Sequence, residues 1–375
     1  MDLKEVTKHR EWLHRNAELS FEEYRTQDYI CGVLDSLGIE HQRIVGTGVL
    51  AIIGSPEDEC VVLRCDIDAL PIEETSGVEY CSENWGVMHA CGHDMHTAAL
   101  LGALARLKAQ KPEGKTILGL FQPGEELAPG GAIKVLNEGV FSGYDVRAVI
   151  GIHTSPELET GVIGIREGAF MASTDEVHIT VEGKGGHAAR PESLRNPVWA
   201  AVEVLSKLHS LSPADASIPH ILAFGRVEAL GATNVIPDRV KIEGTFRTFS
   251  EEWRERCKTM MREIASEVAE SHGVEIAVET AGGYPSVVND PALYSSAKEI
   301  LSGIFSEDKI VRIPKRMTAE DFGWYSLYFP SLFVRFGVTP KGVQPTELHR
   351  SNFVADSSAL ACGVSIYEML ARGVK

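Results

Sequence analysis

CVVLRCDID, residues 60–68, begins as an almost unbroken apolar run and ends on two carboxylates, Asp66 and Asp68. A strand buried on both faces reads this way, because neither face meets water. Three further runs share the form: KTILGLFQ (115–122), RAVIGIH (147–153) and SLFVRFG (331–337). Helical patterns such as 95–108 and 132–136 lie between them, so the expected core is an α/β sheet, largely parallel and flanked by helices. Each run leads into residues that can do chemistry. Glu125 and Glu126 lie just past the second, His153 ends the third, and His349 lies a loop beyond the fourth. Ligands of open α/β sheets bind outside the carboxyl ends of the strands, so this arrangement draws distant residues toward one crevice.

At 375 residues the chain exceeds what one core usually serves, and two domains are expected. Amphipathic helices over 3–15 and 22–37 open the chain, the second closed by Gly38. Between about 173 and 283 the rhythm changes. DEVHITVEG (175–183) alternates as a half-buried strand, a helix over 197–208 follows, then two strands (220–230 and 240–249), a helix over 251–271 and the strand VEIAVET (274–280). That order is ferredoxin-like. The expectation is a first domain of 1–172 and 284–375 interrupted by an inserted α+β domain, 173–283.

Composition limits the partners. A formal net charge of −17 argues against nucleic acid and anionic membranes, which reward a basic face. Seven scattered cysteines with no CxxC pair indicate neither a disulfide framework nor a zinc ribbon, and fit a reducing compartment. The N-terminal residues lack a signal peptide's apolar stretch, and no apolar run is long enough to span a bilayer. A cytoplasmic protein acting on small molecules is expected.

HACGHDMH (89–96) admits three readings: a metal site, a thiol nucleophile with a base, or a polar helix start. Gly92 disfavours a helix there, so Cys91 and His93 converge only if the loop curls, and Asp94 is placed as the N-cap of the next helix. Taken singly, each candidate has a bland reading: a buried free cysteine, a hydrogen-bonded histidine, a solvated pair of glutamates. Their coincidence beyond strand ends tips the reading to a Cys, His, Glu, His, His set sufficient for two divalent ions. His9, His14, His41, His209, His220 and His272 lack such company and are read as structural; His89 and His96 are read as supporting or surface residues.

With RCDIDALP (64–71), MHACGHDMH (88–96), FQPGEE (121–126), GIH (151–153), GKGGHAARP (183–191), NVIPD (234–238) and TELHRSNF (346–353) in order, the chain resembles the amidohydrolase branch of the zinc aminoacylase and carboxypeptidase family. The resemblance implies that Cys91, His93, Glu126, His153 and His349 ligate two divalent ions, manganese, zinc, nickel or cobalt. It implies that Glu125 is the general base for a metal-activated water, that Asp68 orients the site, and that the inserted domain is a lid and homodimerisation module. That module would bring His187 to the oxyanion and Asn234 to the substrate; Arg247 is read as gripping a substrate carboxylate. The implied reaction is hydrolysis of N-acyl amino acids. A dipeptidase or carboxypeptidase on the same scaffold, a non-catalytic metal-binding protein, and a hydrolase using Cys91 as nucleophile are the alternatives. Departures from the family pattern include Ala17 for a common proline and Gly124 for a common alanine, and whether Asp66 touches metal stays open.

Overall fold

The computed structural model describes residues 1–374, which form two compact units. The larger comprises Met1–Phe170, Val287–Lys315 and the chain from Asp321 onward; the smaller comprises Met171–Ser286 and Arg316–Glu320.

In the larger unit, four parallel strands lie side by side in the order Lys115–Gln122, Glu59–Asp66, Asp145–Glu159, Ser331–Thr339. Beyond their first residues three of them are buried along their whole length, which is why they read as apolar runs rather than alternating patterns. Glu40–Ile44 and Gly48–Ile53 extend one edge, and Ile163–Ile165 and Ile310–Arg312 the other, making a mixed sheet. The helix His93–Ala109 packs against Leu3–Arg15 and Leu360–Gly373. Its Gly102 permits the close approach, since a Cβ there would lie 2.8 Å from methyls of both Val6 and Val364.

Two local expectations are corrected. The helix begins at His93 with Gly92 as N-cap, and Asp94 sits in its first turn. Asp94 does not cap because Arg10 Nε and His14 Nδ1 hold its Oδ2 at 2.6 and 2.9 Å. His153 does not end its strand, which continues to Glu159 because Thr154 and Ser155 go on pairing with Phe336 and Gly337. The neighbouring strand is what stops: its last pairing with this one is Arg64 to Gly151, so His153 stands just past the point where the sheet opens.

The smaller unit is an antiparallel sheet in the order His220–Glu228, Arg239–Thr248, Ser173–Glu182, Glu275–Ala281, with the helices Pro197–His209 and Glu251–His272 sharing its core. Alternation along Ser173–Glu182 buries Val177, Ile179 and Val181. Both helices start on a side-chain cap, Asn196 accepting from Val198 N and Ser250 from Trp253 N. The strand order is that of a ferredoxin-like fold.

Candidate metal centre

Cys91 and His93 converge because Gly92 between them takes a φ of +84°. That left-handed turn suits glycine, and space demands it too: a Cβ would lie 2.8 Å from Thr154 Oγ1. The Thr154 hydroxyl donates to the Cys91 carbonyl at 2.8 Å, fastening the loop to the His153 strand.

Cys91 Sγ lies 3.5 Å from His153 Nε2 and 3.3 Å from His349 Nε2. Glu126 Oε1 lies 3.4 Å from His349 Nε2 and 3.8 Å from His93 Nε2. Two overlapping groups result, Cys91 with His93 and His153, and Cys91 with Glu126 and His349; within each, the potential ligand atoms lie within 4.8 Å of one another. His93 Nε2 and Glu126 Oε1 are buried without a hydrogen-bond partner. Buried polar atoms are ordinarily satisfied, so this facing pair, 3.8 Å apart, suits a cation held between the two atoms.

Other contacts aim these atoms. His93 Nδ1 donates to the Asp68 carbonyl at 2.9 Å, which leaves Nε2 as the lone-pair nitrogen. Asp68 Oδ2 accepts from Glu126 N at 2.9 Å and from Ser20 Oγ at 2.7 Å. Burial opposes charge on Asp68, yet His93 and these donors hold its pKa below the usual carboxylate value. Burial, then the Arg335 cation with its Nη1 3.0 Å from Nδ1, pushes the His153 pKa well below that of free imidazole. His349 has a φ of +61° and is held by its N–H, which donates to the Ala90 carbonyl at 2.9 Å. A left-handed non-glycine residue costs about 1–2 kcal/mol, a strain typical of sites where geometry matters more than stability. Its contacts with Cys91 and Glu126 push its pKa up to about 10. Burial pushes the Cys91 thiol up.

Glu125 is buried next to Glu126 and belongs with it and His93 to a third close group. Asp66 forms a further close group with His93 and His96; its Oδ1 takes His96 Nδ1 at 2.6 Å and its Oδ2 takes Arg64 Nη1 at 2.9 Å. His96 Nε2 in turn accepts the Thr154 N–H at 2.8 Å, so its two nitrogens join the end of the strand Glu59–Asp66 to the strand Asp145–Glu159.

In the smaller unit His187 pairs with Val235, and Ala188 N donates to the Asn234 carbonyl at 2.9 Å, which puts His187 and Asn234 side by side and exposed. His187 Nδ1 accepts the Ala189 N–H at 3.1 Å, leaving Nε2 as an N–H donor. Arg247 is half-buried, donates to the Met317 carbonyl at 2.8 Å and has no acidic partner among the described residues; burial lowers its pKa.

Some contributors are not visible as motifs. Arg335 backs His153, and its signal is a single cation inside the apolar run SLFVRFG. His14, read as structural, belongs to a buried network with Arg10, Asp94 and Glu74 behind the Cys91 loop. Its signal is a cation pair spaced four residues apart on one helix face.

The family model for peptidase family M20/M25/M40 matches residues 62–373. N-acetylcysteine deacetylase of Bacillus subtilis (strain 168) is 37% identical over 365 residues, spanning 96% of this chain and 94% of the relative. Thermostable carboxypeptidase 2 of Saccharolobus solfataricus is 35% identical over 371 residues, spanning 96% and 92%. Among solved structures, a dinuclear metal-binding peptidase of the M20 family from Bacillus subtilis matches with a TM-score of 0.85 at 34% identity, covering 99% of this chain and 97% of that one.

Proposed function

This chain belongs to peptidase family M20/M25/M40 and is a metal-dependent amidohydrolase; we propose that Cys91, His93, Glu126, His153 and His349 hold two divalent cations and that the enzyme deacylates N-acyl amino acids. The observation that carries the metal reading is the thiol of Cys91 shared by two groups of close-set ligand atoms, with His93 Nε2 and Glu126 Oε1 left unpartnered. A donor set of thiolate, imidazole and carboxylate suits borderline ions such as zinc, cobalt, nickel or manganese better than magnesium or calcium.

Bound there, the cations supply Lewis acidity toward an amide carbonyl and a water molecule. Glu125, beside the ligand Glu126, takes the proton from the attacking water and passes it to the departing amine. Asp68 fixes the His93 tautomer that presents Nε2 inward. The free His187 Nε2–H suits donation to the oxyanion, with Asn234 beside it to hold the substrate. Arg247, with no counterion among the described residues, suits a substrate carboxylate. These roles make the smaller unit a lid. The same unit is our candidate for homodimerisation, supported by the edge strand His220–Glu228, where Ile221 and Val227 are exposed. Sedimentation of wild type against Val227→Lys tests it.

The decisive assay pits N-acetyl amino acids against dipeptides, with and without chelator. Turnover of the acylated set, lost on chelation and restored by added metal, supports the reading. Preference for dipeptides favours a peptidase, as the carboxypeptidase relative's name describes for that protein. Chelator-resistant turnover favours a Cys91 nucleophile, which needs no metal. All seven cysteines are free, and no described helix is long and apolar enough to cross a membrane. We place the enzyme in the reducing cytoplasm on the strength of those thiols.

A further inference from the structure

The proposed base, Glu125, sits in the turn Gln122-Pro123-Gly124-Glu125-Glu126, and that turn is gripped from below by a segment with no assigned role, Glu18–Glu23. Gly124 has a φ of +63°, and a Cβ on it would lie 2.3 Å from Phe21 Cζ. Phe21 itself has a φ of +65°, so two left-handed residues interlock, one beneath the other. This accounts for glycine at a position where the resembled family favours alanine.

Glu23 completes the grip. Its carboxylate is fully buried, with Oε1 accepting the Gly124 N–H at 2.8 Å and Oε2 bound by the Thr47 hydroxyl. Glu23 occupies the N-cap of the helix Tyr24–Ser36, yet its side chain makes no capping bond. Glu18 caps that helix instead, accepting Thr26 N at 2.8 Å and Arg25 N at 3.2 Å. The chain has therefore assigned one carboxylate to the helix and released the other to the turn. On the far side of Glu125, Glu126 N is held by Asp68, which Ser20 supports. Both neighbours of Glu125 are thus tied to this one segment.

We propose that Glu23 is a positioning residue for the reaction, fixing through the Gly124 N–H the direction in which Glu125 presents its carboxylate. The inference rests on the reading of Glu125 as the base. A misplacement of an ångström or less at such a group costs up to about 100-fold in rate, so the grip has kinetic leverage without touching substrate.

Metal-loaded Glu23→Ala is expected to lose kcat on an N-acetyl amino acid by about 10- to 100-fold, with KM and metal content unchanged. Glu23→Gln, which keeps an acceptor for Gly124 N–H, is expected to recover most of that loss. Glu18→Ala is the structural control: it lowers Tm by uncapping the helix and leaves kcat in place. Wild-type kcat in Glu23→Ala, while Glu125→Gln is inactive, overturns the inference. An active Glu125→Gln overturns the reading of the base, and this inference with it. Should Glu23→Ala fail to fold, Gly124→Ala decides: kcat must fall in that variant and recover partly when Phe21→Ala removes the ring it strikes, and no recovery counts against the grip.

Discussion

Cys91 Sγ and His153 Nε2 stand 3.5 Å apart although 62 residues separate them, and the same sulfur reaches His349 Nε2 at 3.3 Å on its other side. A shared thiol gives unequal consequences for its neighbours. Cys91→Ala is expected to lose both cations, whereas His153→Ala and His349→Ala each retain one. Metal stoichiometry by mass spectrometry of dialysed protein decides, and two cations per chain in Cys91→Ala contradicts the proposal that both groups depend on this thiol.

Glu125→Gln keeps size and burial but cannot accept the water's proton. Its kcat is expected to fall by about 100- to 10,000-fold with both metals in place. Steady-state rates paired with metal analysis separate this outcome from loss of the site itself.

Arg247 has no acidic partner among the described residues, so its proposed role should show in substrate choice. Arg247→Ala is expected to raise KM for N-acetyl amino acids by about tenfold or more, the worth of a charged hydrogen bond. The matching N-acetyl amino-acid amides, which lack the carboxylate, should be affected little. Equal losses on both substrate sets reject the assignment.

Glu74 reports on the buried network behind the Cys91 loop. Burial alone would raise its pKa, but hydrogen bonds from His14 Nε2, the Ser76 hydroxyl and Ser82 N bring it from 4.5 down to about 2. A depressed folded-state pKa stabilises the fold above the unfolded value of 4.5, and that contribution fades as pH falls toward 2. Glu74→Gln is therefore expected to cost about 1–3 kcal/mol at neutral pH, with the gap to wild type narrowing below pH 4.5. Denaturant unfolding of metal-free protein across this range measures it, and a gap independent of pH refutes the charge argument.

Legibility in the sequence followed the range of each interaction. Burial on both faces beyond the first residue of the strand Glu59–Asp66 leaves an apolar run, and alternation along Ser173–Glu182 leaves a period of two, so both are visible locally. The start of the helix at His93 was not, because Asp94, a good cap by type, is claimed by Arg10 and His14 from another helix. Nor was the true position of His153, since where its strand stays paired depends on Phe336 and Gly337, far along the chain.

Residue types and their order were enough to suggest which donor groups exist, that they lie at or near buried strands, and that an α+β segment interrupts the first domain. Type and periodicity act over a few positions, and a string of letters preserves them. Packing of the whole chain was needed to set one thiol between two imidazoles, to consume Asp66 with Arg64 and His96, and to have Glu18 cap a helix so that Glu23 can hold Gly124. Those outcomes are competitions among partners that are mostly tens or hundreds of residues apart, settled by distance and burial once the elements have come together.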